Sequence, residues 1–407
     1  MAKRKSSQKS SAAFRIIMIL LVIAAGALYL FTGNDPLELF TELEEIPIGE
    51  EQVVEEPVVE EPVVEPAEPV EAAGGGGDWW QVYFTDPATI NDSENLAGSI
   101  PEKLIALIDS AQQSIHIASF EFNLTPVAEA LIRAHERGVD VRWVTDDEHG
   151  IEADEEDDHG QFEMLEHAGI EVKDDQRGAL MHNKFWIFDG HTTWTGSTNI
   201  TQNGNFRNNN NVLVIQSTRV AAIYEREFEE MWAGEFGPRS TSTLSQQATT
   251  INETPIQILF SAEDEVVSQL VPIIESAEKS IRFMAFSFTH DDLGDAVENR
   301  ANAGIDVMGI FEKRGSETEY SELPALYCMG VSVRQDGNPR TFHHKVFIID
   351  DEIVITGSLN FSNNANDSND ENVVILANTE IASLYLAEFE RRWAEAEDPD
   401  PADMACK

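Results

Sequence analysis

The feature that most constrains the fold of this chain is an internal repeat. Residues 114–122 (SIHIASFEF) match residues 280–288 (SIRFMAFSF) at an offset of 166. Further along the chain the offset becomes 161, as for the two tryptophans Trp232 and Trp393, so one copy has gained or lost five residues in between. A sequence that matches itself over such a distance indicates one structural unit made twice.

Within each copy, segments typical of strands and helices alternate. Residues 115–122 form a nearly continuous apolar run, which predicts a buried strand. Residues 127–137 have helical spacing and end before a glycine, and residues 221–232 form a second amphipathic helix. Residues 185–195 are predicted to form two strands joined by an Asp-Gly turn. The fold class is therefore α/β with a mixed sheet in each copy.

Each copy also carries the pattern His-x-Lys-x4-Asp-x6-Gly-Ser-x-Asn. Because residues two apart on a strand face the same side, the His and Lys of each copy point together. The Asn follows the next strand and a small Gly-Ser turn, so it can approach the same place. The motif residues are His182, Lys184, Asp189, Ser197 and Asn199 in the first copy, and His343, Lys345, Asp350, Ser358 and Asn360 in the second.

These residue types suit the chemistry of a phosphodiester. Two lysines offset the phosphate charge, amide donors bind its non-bridging oxygens, and two imidazoles can serve as nucleophile and acid. No metal and no cofactor are needed for this chemistry. Ser197 and Ser358 either bind phosphate or shape the turn, whereas Asp189 and Asp350 lie at turns and are predicted to be structural.

The other histidines and acidic clusters receive no catalytic role. His344 shares a strand with His343 but should face the opposite side. His116 lies in an apolar strand and is predicted to pack there. The acidic residues 152–158 lack the spacing of a calcium-binding loop and predict a solvated loop.

The duplicated motif resembles the signature of the phospholipase D superfamily, and the resemblance covers residues 79–400. It implies two tandem α/β/α sandwich domains related by a pseudo-two-fold axis, with one active site at their interface and a phosphohistidine intermediate. Family precedent makes His182 the nucleophile and His343 the general acid, although the sequence alone leaves that order open. The implied catalytic residues are His182, Lys184, Asn199, His343, Lys345, Asn360 and Glu371.

The two copies differ at the acid that this family often places after the asparagine. The second copy has Glu371 there, whereas the first has Asn210. A carboxylate raises imidazole basicity more than an amide does, so the two histidines should have unequal pKa values. The histidine that Glu371 contacts is left open; contact with His182 would fit His182 as the nucleophile.

The amino-terminal part predicts a membrane anchor and a tether. Residues 1–33 contain five basic residues and an apolar run at 16–31, which predicts a single span with the catalytic part outside the cytoplasm. A cleaved signal peptide is the alternative, because residues 25–27 (AGA) resemble a cleavage site. Residues 34–78 are acidic and rich in Pro and Val, which predicts a disordered linker with a flexible glycine hinge at 74–77.

The remaining domain boundaries follow from the repeat and from composition. The first phospholipase D-like domain is predicted over 79–236 and the second over 253–400, with a Ser/Thr/Gln-rich linker at 237–252 and a tail at 401–407. The two cysteines, Cys328 and Cys406, are expected to be unpaired, because Cys406 lies in a tail that should fray.

Net charge bears on the choice of substrate. The chain has a formal charge of −47, and residues 79–407 retain −37. Such a field repels polyanions, which disfavours a nuclease without excluding one. The predicted partner is therefore a phospholipid membrane, with an exported nuclease as the alternative and a silent binding protein as a third possibility. Because one chain carries both half-sites, a monomer is expected.

Overall fold

The computed structural model describes residues 73–406. The predicted anchor, 1–33, and the tether up to residue 72 lie outside the described residues. Within 73–406, no helix combines the length and apolar character needed to cross a bilayer.

The first half contains an eight-stranded mixed sheet with helices packed against it. Its strands are β1 (Ala73–Gly76), β2 (Trp80–Phe84), β3 (Ser114–Ser119), β4 (Asp140–Thr145), β5 (Glu171–Asp174), β6 (Lys184–Phe188), β7 (Thr192–Gly196) and β8 (Asn211–Gln216). Its helices are α1 (Ile100–Ser110), α2 (Thr125–Glu136), α3 (Gln161–His167), α4 (Gln202–Phe206) and α5 (Thr218–Trp232), with a π-helical turn at Asp147–Glu152 and a 3₁₀ turn at Ala153–Glu155. The strand order is β1-β2-β8-β7-β6-β3-β4-β5.

The second half repeats this architecture. Its strands are β9 (Ala248–Ile251), β10 (Thr254–Ser261), β11 (Ser280–Ala285), β12 (Asp306–Phe311), β13 (Ser332–Gln335), β14 (Lys345–Ile349), β15 (Ile353–Gly357) and β16 (Glu371–Ala377). Its helices are α6 (Val266–Glu275), α7 (Asp291–Asn302), α8 (Glu322–Cys328), α9 (Asn363–Asp367) and α10 (Thr379–Glu395). The order β9-β10-β16-β15-β14-β11-β12-β13 is the same as in the first half, so the prediction of two mixed α/β units is confirmed.

The repeated strand found in the sequence is an interior strand of each sheet. In the first half, β3 pairs in parallel with β4 and antiparallel with β6. In the second half, β11 makes the same two pairings with β12 and β14. The motif lysines, Lys184 and Lys345, are the first residues of β6 and β14. Each His-x-Lys segment therefore lies at the end of a strand in the middle of a sheet.

Each half has its own hydrophobic core, and a third core is shared between the two halves. Residues of β6 and α5 pack in it with residues of β10 and α10. The ring of Tyr224 lies edge-on to Phe185 and to Phe260, with centroids 4.8 and 5.5 Å apart. Aromatic contacts across such a boundary hold the two sheets at a defined separation. The ends of β6 and β14 are thus kept in a fixed position relative to each other.

The glycine hinge predicted at residues 74–77 is instead largely a strand. Ala73–Gly76 pairs antiparallel with β2, with Gly74 opposite Tyr83. Gly74 has φ +154°, and a Cβ there would lie 2.0 Å from the carbonyl oxygen of Val82. Backbone pairing needs no side chains, and this close approach accepts only glycine. The run of glycines that predicted a flexible hinge is therefore also compatible with an edge strand.

The predicted linker at 237–252 also contains regular structure. It has 3₁₀ turns at Gly237–Arg239 and Leu244–Gln246, and it ends in β9, which pairs antiparallel with β10. Its Thr-rich segment completes the edge of the second sheet.

The expectation of unpaired cysteines was wrong. Cys328 and Cys406 form a disulfide, with Cα atoms 5.4 Å apart. The tail does not fray because Glu397 pairs with the backbone of Gln335 and the Met404 side chain is buried. These contacts bring residue 406 to α8, where the two sulfurs meet.

Candidate active site

Each motif histidine is held by the backbone of the opposite half. The amide of His182 donates to the carbonyl of Asp370 at 2.9 Å, and the amide of His343 donates to the carbonyl of Asn209 at the same distance. The two contacts are equivalent. One joins the segment before β6 to the segment before β16, and the other joins the segment before β14 to the segment before β8. The fold therefore places both histidines at the boundary between the halves.

The two lysines also have matching environments. Lys184 Nζ donates to the carbonyl of His182 at 2.8 Å, and Lys345 Nζ donates to that of His343 at 2.9 Å. Each ammonium group lies over an aromatic ring, with Nζ 4.9 Å from the centroid of Phe120 and 4.7 Å from that of Phe286. Both lysines are nearly fully buried. Their orientation is thus set by the strand that carries them and by one ring.

The histidines differ in their partner at Nδ1. Glu371 Oε2 lies 2.7 Å from Nδ1 of His182, and Asn210 Oδ1 lies 2.9 Å from Nδ1 of His343. Both contacts cross between the halves, so the question left open by the sequence is answered in favour of Glu371 with His182. The two sides of the site are equivalent in geometry but differ in chemistry, with a carboxyl group at one histidine and an amide at the other.

Burial and mutual repulsion shift the pKa values in this cluster. Burial, together with the charges of Lys184 and Lys345, lowers the pKa of both histidines well below 6.5. Burial lowers the pKa of Lys184 to about 8. Burial and repulsion by Lys184 lower the pKa of Lys345 well below its usual value. Burial raises the pKa of Glu371 to about 8, against the opposing effect of Lys184. The two histidines and two lysines thus form one buried cluster in which positive charge is disfavoured unless an anion is bound.

The predicted motif serines and aspartates lie behind the histidines. Ser197 donates to Asn210 Oδ1 at 2.8 Å, and Ser358 hydrogen bonds Glu371; both hydroxyls are fully buried. This placement favours the turn-shaping alternative over phosphate binding. Asp189 and Asp350 have φ near +50° and accept backbone N–H groups at the start of β3 and β11, which supports the structural role predicted for them.

The motif asparagine Asn199 borders an open groove beside the cluster. This groove has a volume of about 550 Å³ and is lined by residues of both halves, among them Asn199, Phe286 and His343. His182 is only 5% exposed and lies behind this lining. The carbonyl oxygens of Asn199 and Asn360 are buried without a hydrogen-bond partner among residues 73–406. Each side chain therefore keeps one acceptor that a bound molecule could satisfy.

Several residues at the site were not singled out from the sequence. Phe120 and Phe286 contact His182 and His343 edge-on, with centroids 4.8 and 4.9 Å apart. Phe120 and Phe286 are related by the repeat offset of 166. This recurrence is the sequence signal that could have identified them. Glu121, which accepts from Nδ2 of Asn199 at 2.8 Å, has no such signal, because its equivalent is a serine.

Two of the histidines given no catalytic role, His344 and His116, are placed as predicted. His344 is buried on the opposite side of β14 from His343 and lies between Asn211 and Glu388, at 3.1 and 3.2 Å. His116 is stacked on Phe228, with centroids 4.7 Å apart. Neither ring reaches the lysine cluster.

Comparison with known proteins identifies the family. The model of the family described as "Cardiolipin synthase, PLD-like domain" matches residues 104–232 and 270–393, together more than half of the chain. The chain belongs to the phospholipase D superfamily. Both matched segments contain one complete His-x-Lys motif, so the duplicated half-site seen in the sequence is the family's domain present twice.

Individual relatives within the phospholipase D superfamily match only part of this chain. The mitochondrial cardiolipin hydrolase of Mus musculus is 36% identical over 129 residues, and the phospholipase D of Rickettsia prowazekii is 32% identical over 136 residues. Each match covers about a third of this chain, and the chain spans only 58% and 66% of those relatives.

A solved structure shows the same fold over a larger part of the chain. The phosphatidylserine synthase of Haemophilus influenzae aligns with a TM-score of 0.55 at 14% identity. The alignment covers 77% of this chain and 92% of that one. The two-domain fold is therefore shared, whereas a likeness at this identity says nothing about substrate.

Proposed function

We propose that this chain is a metal-independent phosphodiesterase of the phospholipase D type, which hydrolyses or transfers phosphatidyl groups through a phosphohistidine. The observation that carries the proposal is the buried cluster of two His-Lys pairs from two halves. One histidine in it contacts a carboxyl group and the other an amide. Such a division suits one nucleophile and one acid.

The charge of the cluster fits a phosphodiester anion. Lys184 and Lys345 are buried with lowered pKa values, so an anion between them is stabilised and in turn favours their protonated forms. The Nδ2 groups of Asn199 and Asn360 are proposed to donate to the non-bridging oxygens, Asn199 after it gives up its contact with Glu121. In this proposal the lysines perform the charge stabilisation that a metal ion performs in other phosphodiesterases.

In the first step, Nε2 of His182 attacks phosphorus and the bond to the leaving oxygen breaks. Glu371 holds Nδ1 of His182, which leaves the Nε2 lone pair free. His343 donates the proton from its Nε2 to the leaving oxygen as that bond breaks. Burial lowers the pKa of His343. A bound phosphate anion raises this pKa again, so that His343 carries the proton when the substrate is bound.

In the second step, water attacks phosphorus and the bond to His182 breaks. His343, now neutral, accepts a proton from the water, which returns both histidines to their starting states. An alcohol in place of water gives phosphatidyl transfer by the same route. Because one chain carries both histidines, we propose that the monomer is the active species.

We further propose that the substrate is a lipid in a membrane to which the chain is anchored. The basic segment, apolar run and acidic tether at the amino-terminus support an anchor with the catalytic domains outside the cytoplasm. The charge of −37 over residues 79–407 disfavours a polyanionic nucleic acid, which remains the alternative substrate.

A paired assay tests the choice of substrate. We expect the full-length chain in detergent with EDTA to release head groups from mixed micelles of phospholipid, and to leave single-stranded DNA intact. The same preparation of His182→Ala should lose the lipid activity. Degradation of DNA without phospholipid hydrolysis would contradict the lipid proposal and support the nuclease alternative.

The asymmetry between Glu371 and Asn210 gives a prediction about pH. Asn210→Glu places a carboxylate at Nδ1 of His343 and should raise the pKa of that histidine. A general acid acts while it is protonated, so the alkaline limb of the kcat/KM profile should move upward by about 1 to 2 pH units.

The matched control for this variant is Asn210→Gln, which has the same size as glutamate but no charge. Its alkaline limb should stay at the wild-type position. An equal shift in both variants, or a downward shift in Asn210→Glu, would show that His343 does not act as the acid.

A further inference from the structure

The groove beside the cluster is lined by acidic groups, although its proposed substrate is an anion. Glu121, Glu148 and Glu156 line it, and within residues 73–406 no lysine or arginine does. The two lysines that would hold the phosphate lie deeper in the molecule. The part of a substrate that lies in this groove therefore meets carboxylate groups, whereas its phosphate meets the lysines.

One of these acids contacts a motif asparagine directly. Asn199 Nδ2 donates to Glu121 Oε2 at 2.8 Å, and because a carboxylate only accepts, this contact fixes the orientation of the amide. Asn199 Oδ1 then has no partner among residues 73–406, although the residue is 92% buried. Two acceptors, one of them charged, are thus presented together. A ligand that satisfies both must donate hydrogen bonds and carry positive charge.

The position of this pair indicates which part of the substrate it meets. His343, the proposed acid, lines the same groove as Glu121 and Asn199. The leaving oxygen must lie at His343, so the leaving alcohol extends into this groove. In the second half the residue equivalent to Glu121 is Ser287, so only this side of the site carries the carboxylate.

We propose that Glu121 and the carbonyl of Asn199 bind a primary ammonium group on the leaving alcohol, so that the preferred head group is a primary amino alcohol. The inference rests on the function proposed above and names its substrate class. A quaternary ammonium has no N–H for Asn199 Oδ1, and a glycerol head group has no positive charge for Glu121. Occupation of Glu121 by the ammonium also frees Asn199 Nδ2 for a phosphate oxygen.

The distance between the two groups in such a substrate fits this arrangement. In an ethanolamine ester, two carbon atoms separate the ester oxygen from the nitrogen. Phosphate and ammonium can therefore both lie within reach of the single side chain of Asn199. Binding of the head group and positioning of the phosphate are then coupled through that asparagine.

The test compares phosphatidylethanolamine, phosphatidylcholine and phosphatidylglycerol at equal mole fraction in neutral-detergent mixed micelles, with the full-length chain. We expect kcat/KM to favour phosphatidylethanolamine by about tenfold to a hundredfold, the range of a charge-assisted hydrogen bond. Glu121→Gln should remove most of this preference, and Glu121→Asp should retain part of it. Glu163→Gln, at an exposed acid outside the groove lining, should leave the preference unchanged.

Bis(p-nitrophenyl) phosphate, which has no amine, separates failure of the inference from failure of the proposed function. If this ester is hydrolysed but phosphatidylcholine is used as well as phosphatidylethanolamine, the ammonium subsite is contradicted and the phosphodiesterase stands. If Glu121→Gln slows all three lipids equally, the glutamate only positions Asn199 and the subsite is likewise contradicted. If neither the ester nor any lipid is hydrolysed, the proposed function itself fails.

Discussion

Replacing His182 with alanine is expected to lower kcat for phosphodiester hydrolysis by on the order of 10⁴-fold or more, the scale seen when a nucleophile is removed. The buried histidine His344 cannot take its place, because it is bound between Asn211 and Glu388. The loss should therefore affect every substrate, including activated esters. It is measured as steady-state turnover of bis(p-nitrophenyl) phosphate.

The control for this variant is His191→Ala, an exposed histidine in the turn between β6 and β7. It should retain wild-type turnover. Thermal unfolding of His182→Ala should remain cooperative, which separates loss of chemistry from loss of fold. Retention of more than about a tenth of the wild-type kcat would exclude His182 as the nucleophile.

Replacing His343 with alanine is expected to have an effect that depends on the leaving group. For a lipid head group, whose alkoxide needs a proton, the rate should fall by about 10² to 10⁴-fold. For p-nitrophenolate, which leaves without a proton, the first step should proceed nearly unimpeded. The second step should still be slow, because no group activates the water. A stoichiometric burst of nitrophenol followed by slow turnover is the expected result.

The comparison of the two alanine variants assigns the roles of the histidines. His182→Ala should show no burst, and His343→Ala should show one. The reverse pattern would exchange the nucleophile and the acid while leaving the paired site intact. Absence of a burst in both variants would instead indicate direct attack by water.

Much of this site could be predicted from the sequence because its elements are local. The spacing of His182 and Lys184 on one strand, and its recurrence at His343 and Lys345, is visible in two short segments. The same repeat predicted two mixed sheets, and strand alternation predicted that His344 would face away from His343. These inferences need only the periodicity of a strand and the repeat.

The contacts between halves could not be predicted in the same way. Glu371 and His182 are 189 residues apart, and no local pattern states which histidine the acid reaches. The disulfide was missed for a similar reason, because the packing of Met404 that retains the tail depends on the folded surface of the second half. Glu121 lacks a counterpart in the other copy, so the repeat gave no reason to select it. Each of these features depends on tertiary packing.

The most direct test of the account is to locate the covalent intermediate. His343→Ala is mixed with bis(p-nitrophenyl) phosphate, quenched at alkaline pH, where phosphohistidine survives, and digested for mass spectrometry. If His182 is the nucleophile, one p-nitrophenylphosphoryl group per chain is expected, on the peptide that contains His182. A modified peptide without His182, or no modified peptide in a preparation that shows a burst of nitrophenol, would contradict the account.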